Sequence, residues 1–390
     1  MQEVLQNVAL CCLVYSEFMK ILVTGGAGFI GKHLASELAY RGDEVVLLDN
    51  LDPQIHEKIH PEKITFQSLG AKLIVGDVTD RSSWLKAIEG VDAIVHFAAQ
   101  TGTGQSMYQI SRYTNENIGG TGLMWDILAN ETHQVKKVLV ASSRSIYGEG
   151  AYQCSEVCGK VVPEPRTKAQ LKSHQWFLSC PKCGALAKPI STTEDTPPQP
   201  ASLYACTKLS QEQMSLTMGK ALGISITALR FQNVFGPGQS LRNPYTGIIS
   251  IFSNQMRQNL PINIYEDGEE TRDFILVNDV TKICQMSLEN DHETLVLNVG
   301  SGLPTKVIDL AQELKYLWKS ESCIQITGDF RVGDIRHNWA NSQRLQQVFP
   351  GWQHTSLSDG LKQFVEWAST QKIYEDKTRI AAQELKQRNL

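Results

Sequence analysis

Lys20-Ile21-Leu22-Val23-Thr24-Gly25-Gly26-Ala27-Gly28-Phe29-Ile30-Gly31 is the stretch that decides the fold. It opens as an apolar run of strand type. Glycines follow at 25, 28 and 31, and Phe29, Ile30, Leu34 and Leu38 then recur at helical spacing. Strand, glycine turn and helix in that order make a dinucleotide-binding site. Gly25 permits a turn that a Cβ would block. Gly28 lets the main chain approach a pyrophosphate, and Gly31 lets the helix pack closely on the strand. The pyrophosphate is expected at the helix N-terminus, where free N–H groups and the helix dipole favour an anion. The next apolar strand, over 43–50, ends in Asp49, about 20 residues on, where an acid accepts from the adenosine ribose and repels a 2′-phosphate. No Arg follows it directly, so the expected cofactor is NAD rather than NADP.

Outward from this unit, strand and helix alternate. Strands are expected over 72–78, 93–99 and 137–143, and helices over 82–89 and 117–128. Continuous apolar strands between helices predict an α/β fold, a Rossmann-type doubly wound parallel sheet. Its ligands bind beyond the carboxyl ends of the strands, where Asp77, Ala98 and Ser143 fall. After Asn233 the pattern mixes, with a helix expected over 248–258, a strand over 261–265 and a helix over 307–317. These predict a smaller mixed α/β substrate-binding domain. The expected division assigns 19–149, 194–232 and 274–301 to the NAD-binding domain, and 233–273 with 302–366 to the substrate domain. Residues 150–193 form a Cys-rich insert, 367–390 a helical tail, and 1–18 a leader. The leader has no basic segment before its apolar patch and no small-residue cleavage site after it, so it reads as a disordered or non-native start.

The chain has 390 residues, 42% hydrophobic and 20% charged, with a formal net charge of −4. That balance gives no basic footprint for nucleic acid. No apolar run approaches the ~20 residues needed to span a bilayer. Neither nucleic acid nor membrane is an expected partner, and the expected setting is the cytoplasm. Nine cysteines in a chain of this size do not suggest a small secreted disulfide scaffold. Four of them form Cys154-x3-Cys158 and Cys180-x2-Cys183, the spacing of a structural zinc ribbon. Four protein ligands leave no open position, so the zinc is expected to be structural. Free thiols or two disulfides are the alternatives, and His174 is a possible substitute ligand.

Tyr204 and Lys208 are four apart and share one helix face. An unperturbed Tyr, with a pKa of ~10, is too weakly acidic to act as a base at neutral pH. A neighbouring ammonium favours the phenolate. A hydroxyl at the end of the fifth strand could bond the reacting oxygen.

These residues occur within a longer series: His96-Phe97-Ala98-Ala99, Asn117-Ile118-Gly119-Gly120-Thr121, Ser142-Ser143-Arg144-Ser145-Ile146-Tyr147-Gly148, Tyr204-Ala205-Cys206-Thr207-Lys208, Arg272-Asp273-Phe274-Ile275 and Asn298-Val299-Gly300. In this order they resemble the extended short-chain dehydrogenase/reductase family, the NAD-dependent sugar-nucleotide epimerases and dehydratases, over about 19–365. The resemblance implies Ser143, Tyr204 and Lys208 as catalytic residues. It implies cofactor contacts at Gly25, Gly28, Phe29, Ile30, Gly31, Asp49, Asn50, Asp77, Val78, Ala98, Ala99, Asn117, Tyr204 and Lys208. Substrate contacts are implied at Thr101, Ser143, Asn233, Arg272 and Arg331, the two guanidinium groups suiting a diphosphate. The family's 4,6-dehydratases carry an Asp-Glu pair after the strand-end hydroxyl. Arg144 and Ser145 stand there instead, so 4-epimerisation through a transient 4-keto sugar is the expected reaction. The insert, residues 49–56 and residues 101–106 most resemble the dTDP-L-rhamnose 4-epimerase subgroup, implying a dTDP-6-deoxy-L-hexose substrate. The resemblance also implies a homodimer. A sugar-nucleotide dehydrogenase or reductase, and a non-catalytic NAD-binding module, remain as alternatives.

Overall fold

The structure, a computed structural model, describes residues 18–56, 70–243, 245, 247–290, 292 and 294–388. All but the last residue of the expected leader lies outside this set. Seven strands make one sheet: Lys20–Thr24, Glu44–Asp49, Ala71–Val75, Ala93–His96, Lys137–Ser143, Ser225–Phe231 and Thr294–Val299. Across the sheet they run third, second, first, fourth, fifth, sixth, seventh, and every pairing is parallel. The order reverses between the first and fourth strands, which opens a crevice at their carboxyl ends. Helices cover both faces, which is why the strands are apolar at successive positions. One face buries Leu34, Leu38, Val280 and Ile283 against Val23 and Leu47. The other buries Trp84, Met124 and Ile127 against Leu22 and Ile94.

The strands expected over 72–78 and 93–99 both stop early. After Val75 the Gly76 N–H bonds back to Asp49 O at 3.0 Å and the chain turns away. Asp80 then caps the helix Arg81–Ala87 by accepting from the N–H groups of Ser82 and Ser83. The fourth strand ends at His96 because its neighbour ends at Thr24, so Phe97, Ala98 and Ala99 border the crevice. The helix expected from 117 starts earlier, as Ile110–Tyr113, passes through a π-helical segment, Thr114–Gly119, and continues as Gly120–Asn130. The wider π turn aims Asn117 inward.

The smaller region packs the helices Ile248–Met256, Val307–Trp318 and Leu357–Ser369 around Phe252, Leu310, Leu314 and Phe364. The tail ends in the helix Thr378–Gln387, where Glu384 accepts hydrogen bonds from the Tyr108 and Tyr245 hydroxyls. In the insert, Tyr152–Cys154 pairs antiparallel with Lys160–Val161 and with Ala187–Pro189. Among the described residues no helix is long and apolar enough to cross a membrane.

Candidate active site

A cleft of about 570 Å³ lies at the carboxyl ends of the first, second, fourth and fifth strands and continues to the smaller region. Its floor at one end is the glycine turn. Gly25 has φ +65°, and a Cβ there would lie 2.9 Å from Ala98 N. A Cβ on Gly31 would lie 2.4 Å from Gly25 O. Neither position tolerates a side chain. The helix Phe29–Arg41 starts at Gly28 with no side-chain cap, so its first N–H groups are left for an anion in the cleft. Asp49 is buried here. Its Oδ2 accepts from Ala27 N–H at 3.0 Å and its Oδ1 from Leu51 N–H at 2.8 Å. The carboxylate therefore locks the glycine turn to the second strand while it lines the cleft. These features fit a dinucleotide.

Gly25, Gly28, Phe29, Ile30, Gly31, Asp49, Asn50, Val78, Ala98, Ala99 and Thr101 all line the cleft, as do Ser143, Tyr204, Lys208, Asn233 and Arg272. Three expected contacts do not. Asp77 stands behind the wall and accepts from Asn50 Nδ2 at 2.8 Å. Asn117 is fully buried; it accepts from Gln100 N–H at 2.7 Å and donates to Thr207 Oγ1 at 2.9 Å. It braces the fourth-strand exit against the Tyr204 helix. Arg331 lies outside the cleft, with its guanidinium 4.7 Å over the Tyr265 ring.

At the other end of the cleft, the helix Leu203–Leu222, capped by Ser202, presents Tyr204 and Lys208. The Ser143 hydroxyl stands beside the Tyr204 phenol in the cleft and favours its ionised form. Ser143 is itself oriented by Ser145, whose N–H and hydroxyl reach its Oγ at 3.1 and 2.9 Å. Ser145 is a positioning contact that sequence reading missed. Ser142 turns to Glu212 instead. Burial pushes the Tyr204 phenol up; the Ser143 hydroxyl and the Arg144 charge pull it down. Arg144, which starts the turn after Ser143, is thus a cation at the phenol that sequence reading did not assign. Lys208 donates to Gln211 Oε1 at 2.7 Å, and burial lowers it to about 7, against the Glu212 charge that raises it.

The expected zinc ligands converge. The thiol sulfurs of Cys154, Cys158, Cys180 and Cys183 all lie within 4.8 Å of one another, with Cys154 and Cys183 3.5 Å apart. None of the four is in a disulfide. Burial would raise the Cys180 thiol, but the N–H groups of Lys182 and Cys183 outweigh it and hold it at about 7. His174 is not part of the cluster. It stacks on Trp176, with ring centroids 5.1 Å apart, and faces Gly328. No residue of 150–193 lines the cleft. The insert is joined to the site from behind, through Arg166. That guanidinium bonds Glu149 at 3.3 Å, Glu266 at 2.6 Å and the Asp334 carbonyl at 2.8 Å. Arg336, 1% exposed, shares Glu266 and grips Asp267 with two bonds.

The family model of the NAD dependent epimerase/dehydratase family matches residues 21–168 and 167–300. A dTDP-L-rhamnose 4-epimerase of Burkholderia thailandensis is 39% identical over 355 residues, covering 89% of this chain and 94% of its own. UDP-glucuronate 4-epimerase 2 of Arabidopsis thaliana is 28% identical, over 90% of this chain and 75% of its own. Among solved structures, the UDP-glucose 4-epimerase of Thermotoga maritima with UDP-glucose superposes with a TM-score of 0.70. It is 26% identical, covering 90% of this chain and 99% of that one. A UDP-glucuronic acid 4-epimerase from Bacillus cereus, with UDP-glucuronic acid and NAD, gives 0.71 at 25% identity, covering 90% and 99%. The glycine turn, the strand-end serine against Tyr204 and these likenesses agree: the chain belongs to the NAD-dependent epimerase/dehydratase family.

Proposed function

We propose that this protein is an isomerase, an NAD-dependent sugar-nucleotide 4-epimerase, and that its substrate is a dTDP-6-deoxy-L-hexose of the dTDP-L-rhamnose type. One observation carries the reading: Ser143, Tyr204 and Lys208 line one cleft that begins at a bare glycine turn, with Arg144 and Ser145 where a dehydratase would need carboxylates. The name of the Burkholderia relative supports the choice of sugar.

Gly25, Gly28 and Gly31 with Asp49 would hold NAD, which would supply the hydride acceptor and donor for C4 of the sugar. The Tyr204 oxygen takes the C4 hydroxyl proton on oxidation and gives it back after the 4-keto sugar has turned over. Ser143, held by Ser145, hydrogen-bonds the same reacting oxygen and fixes its distance from Tyr204. Asn233 and Arg272, which line the cleft, are assigned to the nucleotide diphosphate. The proposed assembly is a homodimer.

The cysteine cluster is assigned to a structural zinc ion. Tetrahedral Zn–S bonds of about 2.3 Å put sulfurs ~3.8 Å apart, and four thiols within 4.8 Å fit that set. Zinc, when bound, would tie the two ends of the insert together.

The test is incubation of the purified protein with a panel of sugar nucleotides, with product configuration read by NMR. Tyr204→Phe should lower turnover by at least ~10², the usual weight of a general base, and leave NAD bound. Near-normal turnover in that variant would remove Tyr204 from its assigned role.

A further inference from the structure

Arg144 lines the cleft beside Ser143 and has no carboxylate among its hydrogen-bond partners. Among the described residues its Nη2 reaches Asn233 Oδ1, at 3.4 Å, and its buried Nη1 has no hydrogen-bond partner. Arg272, a second cation, lines the same cleft and donates to the carbonyls of Thr271 and Arg336. Burying a guanidinium donor beside a like charge is costly unless an acceptor meets it. The cleft is where that acceptor must come from. Chain position separates the two cations. Arg272 leaves a strand of the smaller region, whereas Arg144 starts the turn directly after Ser143 and its charge reaches Tyr204. Arg144 is thus at the proton-transfer end.

Resting on the 4-epimerase reading, we propose that Arg144 is a specificity-determining residue for the hexose, donating from Nη1 to a sugar hydroxyl next to the reacting carbon. The diphosphate belongs to Arg272. The same placement gives Arg144 a second effect. Its charge favours the Tyr204 phenolate.

The experiment compares dTDP with dTDP-L-rhamnose as ligands of the NAD-loaded protein by calorimetry. Arg144→Met should bind dTDP like the parent protein but lose at least ~10-fold in affinity for the sugar nucleotide, the size expected for a hydrogen bond from a charged donor. NAD content, read on the same samples, reports folding. In turnover, the acid limb of the pH profile of Arg144→Met should move to higher pH, because losing the cation raises the phenol's pKa. Arg144→Lys should return that limb toward its original position while the KM stays high, since an ammonium replaces the charge but not the fork. Equal losses for dTDP and dTDP-L-rhamnose would make Arg144 a diphosphate ligand and overturn the proposal. Unchanged sugar affinity, or an unmoved acid limb, would overturn it too. Parent protein that binds the sugar nucleotide without epimerising it would fail the 4-epimerase reading instead, and the calorimetric comparison would still decide what Arg144 contacts.

Discussion

In the seven-stranded sheet, order comes from apolar burial. Leu22, Leu34, Leu47 and Trp84 are sealed between helices and strands, each 0% exposed. In the insert the buried cluster is Tyr152, Cys154, Val161, Leu178, Cys180 and Ala187, so thiols take the place of aliphatic side chains at two of six positions. Val157 and Phe177 are left in solvent. The sheet can hold its loops by burying leucines; the insert is held at its two margins. Four thiols converge at one margin, and Arg166 enters a buried ion network at the other. A segment with a small core therefore depends on its thiol cluster and on charge, and should respond to conditions that leave the sheet unmoved.

The largest effect is expected from the thiols. Protein purified without chelator should carry about one zinc per chain, and stripping it should cost the insert on the order of 10 kcal/mol, as at other structural zinc sites. Hydrogen exchange should then rise across 150–193 while the sheet and bound NAD stay protected. Metal-free protein with an equally protected insert would break the contrast. Next comes Arg166→Met, which leaves Glu149 with the Arg336 N–H and Glu266 with the Arg336 guanidinium as remaining partners and should destabilise by about 3 kcal/mol in urea. The Glu149 carboxyl already lies above its ordinary range through burial, opposed by Arg166. Removing Arg166 raises it further. A carboxyl whose folded pKa exceeds its unfolded one favours the fold at low pH and loses that contribution as pH rises through the folded value. The variant should therefore lose less stability at pH 5 than at pH 8, and the opposite trend would show that Glu149 is not the group left exposed to the change. The smallest effect is expected at the cofactor end. Asp49→Ala removes the acceptor of Ala27 N–H and the assigned ribose contact, and should weaken NAD binding by ~10-fold while narrowing the preference over NADP. Equal, unchanged affinities would show that another residue reads the ribose.

The same contrast explains what sequence reading could reach. The glycine turn, Asp49, the strand-end Ser143 and the Tyr204–Lys208 pair are patterns within one strand–turn–helix unit or one helical turn, where spacing fixes geometry. The thiol cluster was legible because each pair is itself local. The Arg166 network was not, since Glu149, Glu266 and the Asp334 carbonyl are brought to it only by tertiary packing. The position of Arg331 over Tyr265 and the placing of the insert behind the cleft, rather than along its wall, likewise depend on how elements dock. Lys208 was found, but its hydrogen bond to Gln211, one turn on in the same helix, depends on side-chain directions that spacing alone does not give.

The π-helical segment at Thr114–Gly119 has a consequence of its own. One helix, running from Ile110 to Asn130, carries a wide turn between two regular stretches, and that junction is where Asn117 reaches both Gln100 and Thr207. Removing a single residue from the junction would restore one uniform spiral and leave the turns on either side in nearly their present phase, because the wide turn takes up one extra residue. The hydrophobic pattern of the helix would survive such a deletion almost unaltered. What would be lost is the wide turn that lets one buried amide tie the floor of the cleft to the helix that carries Tyr204.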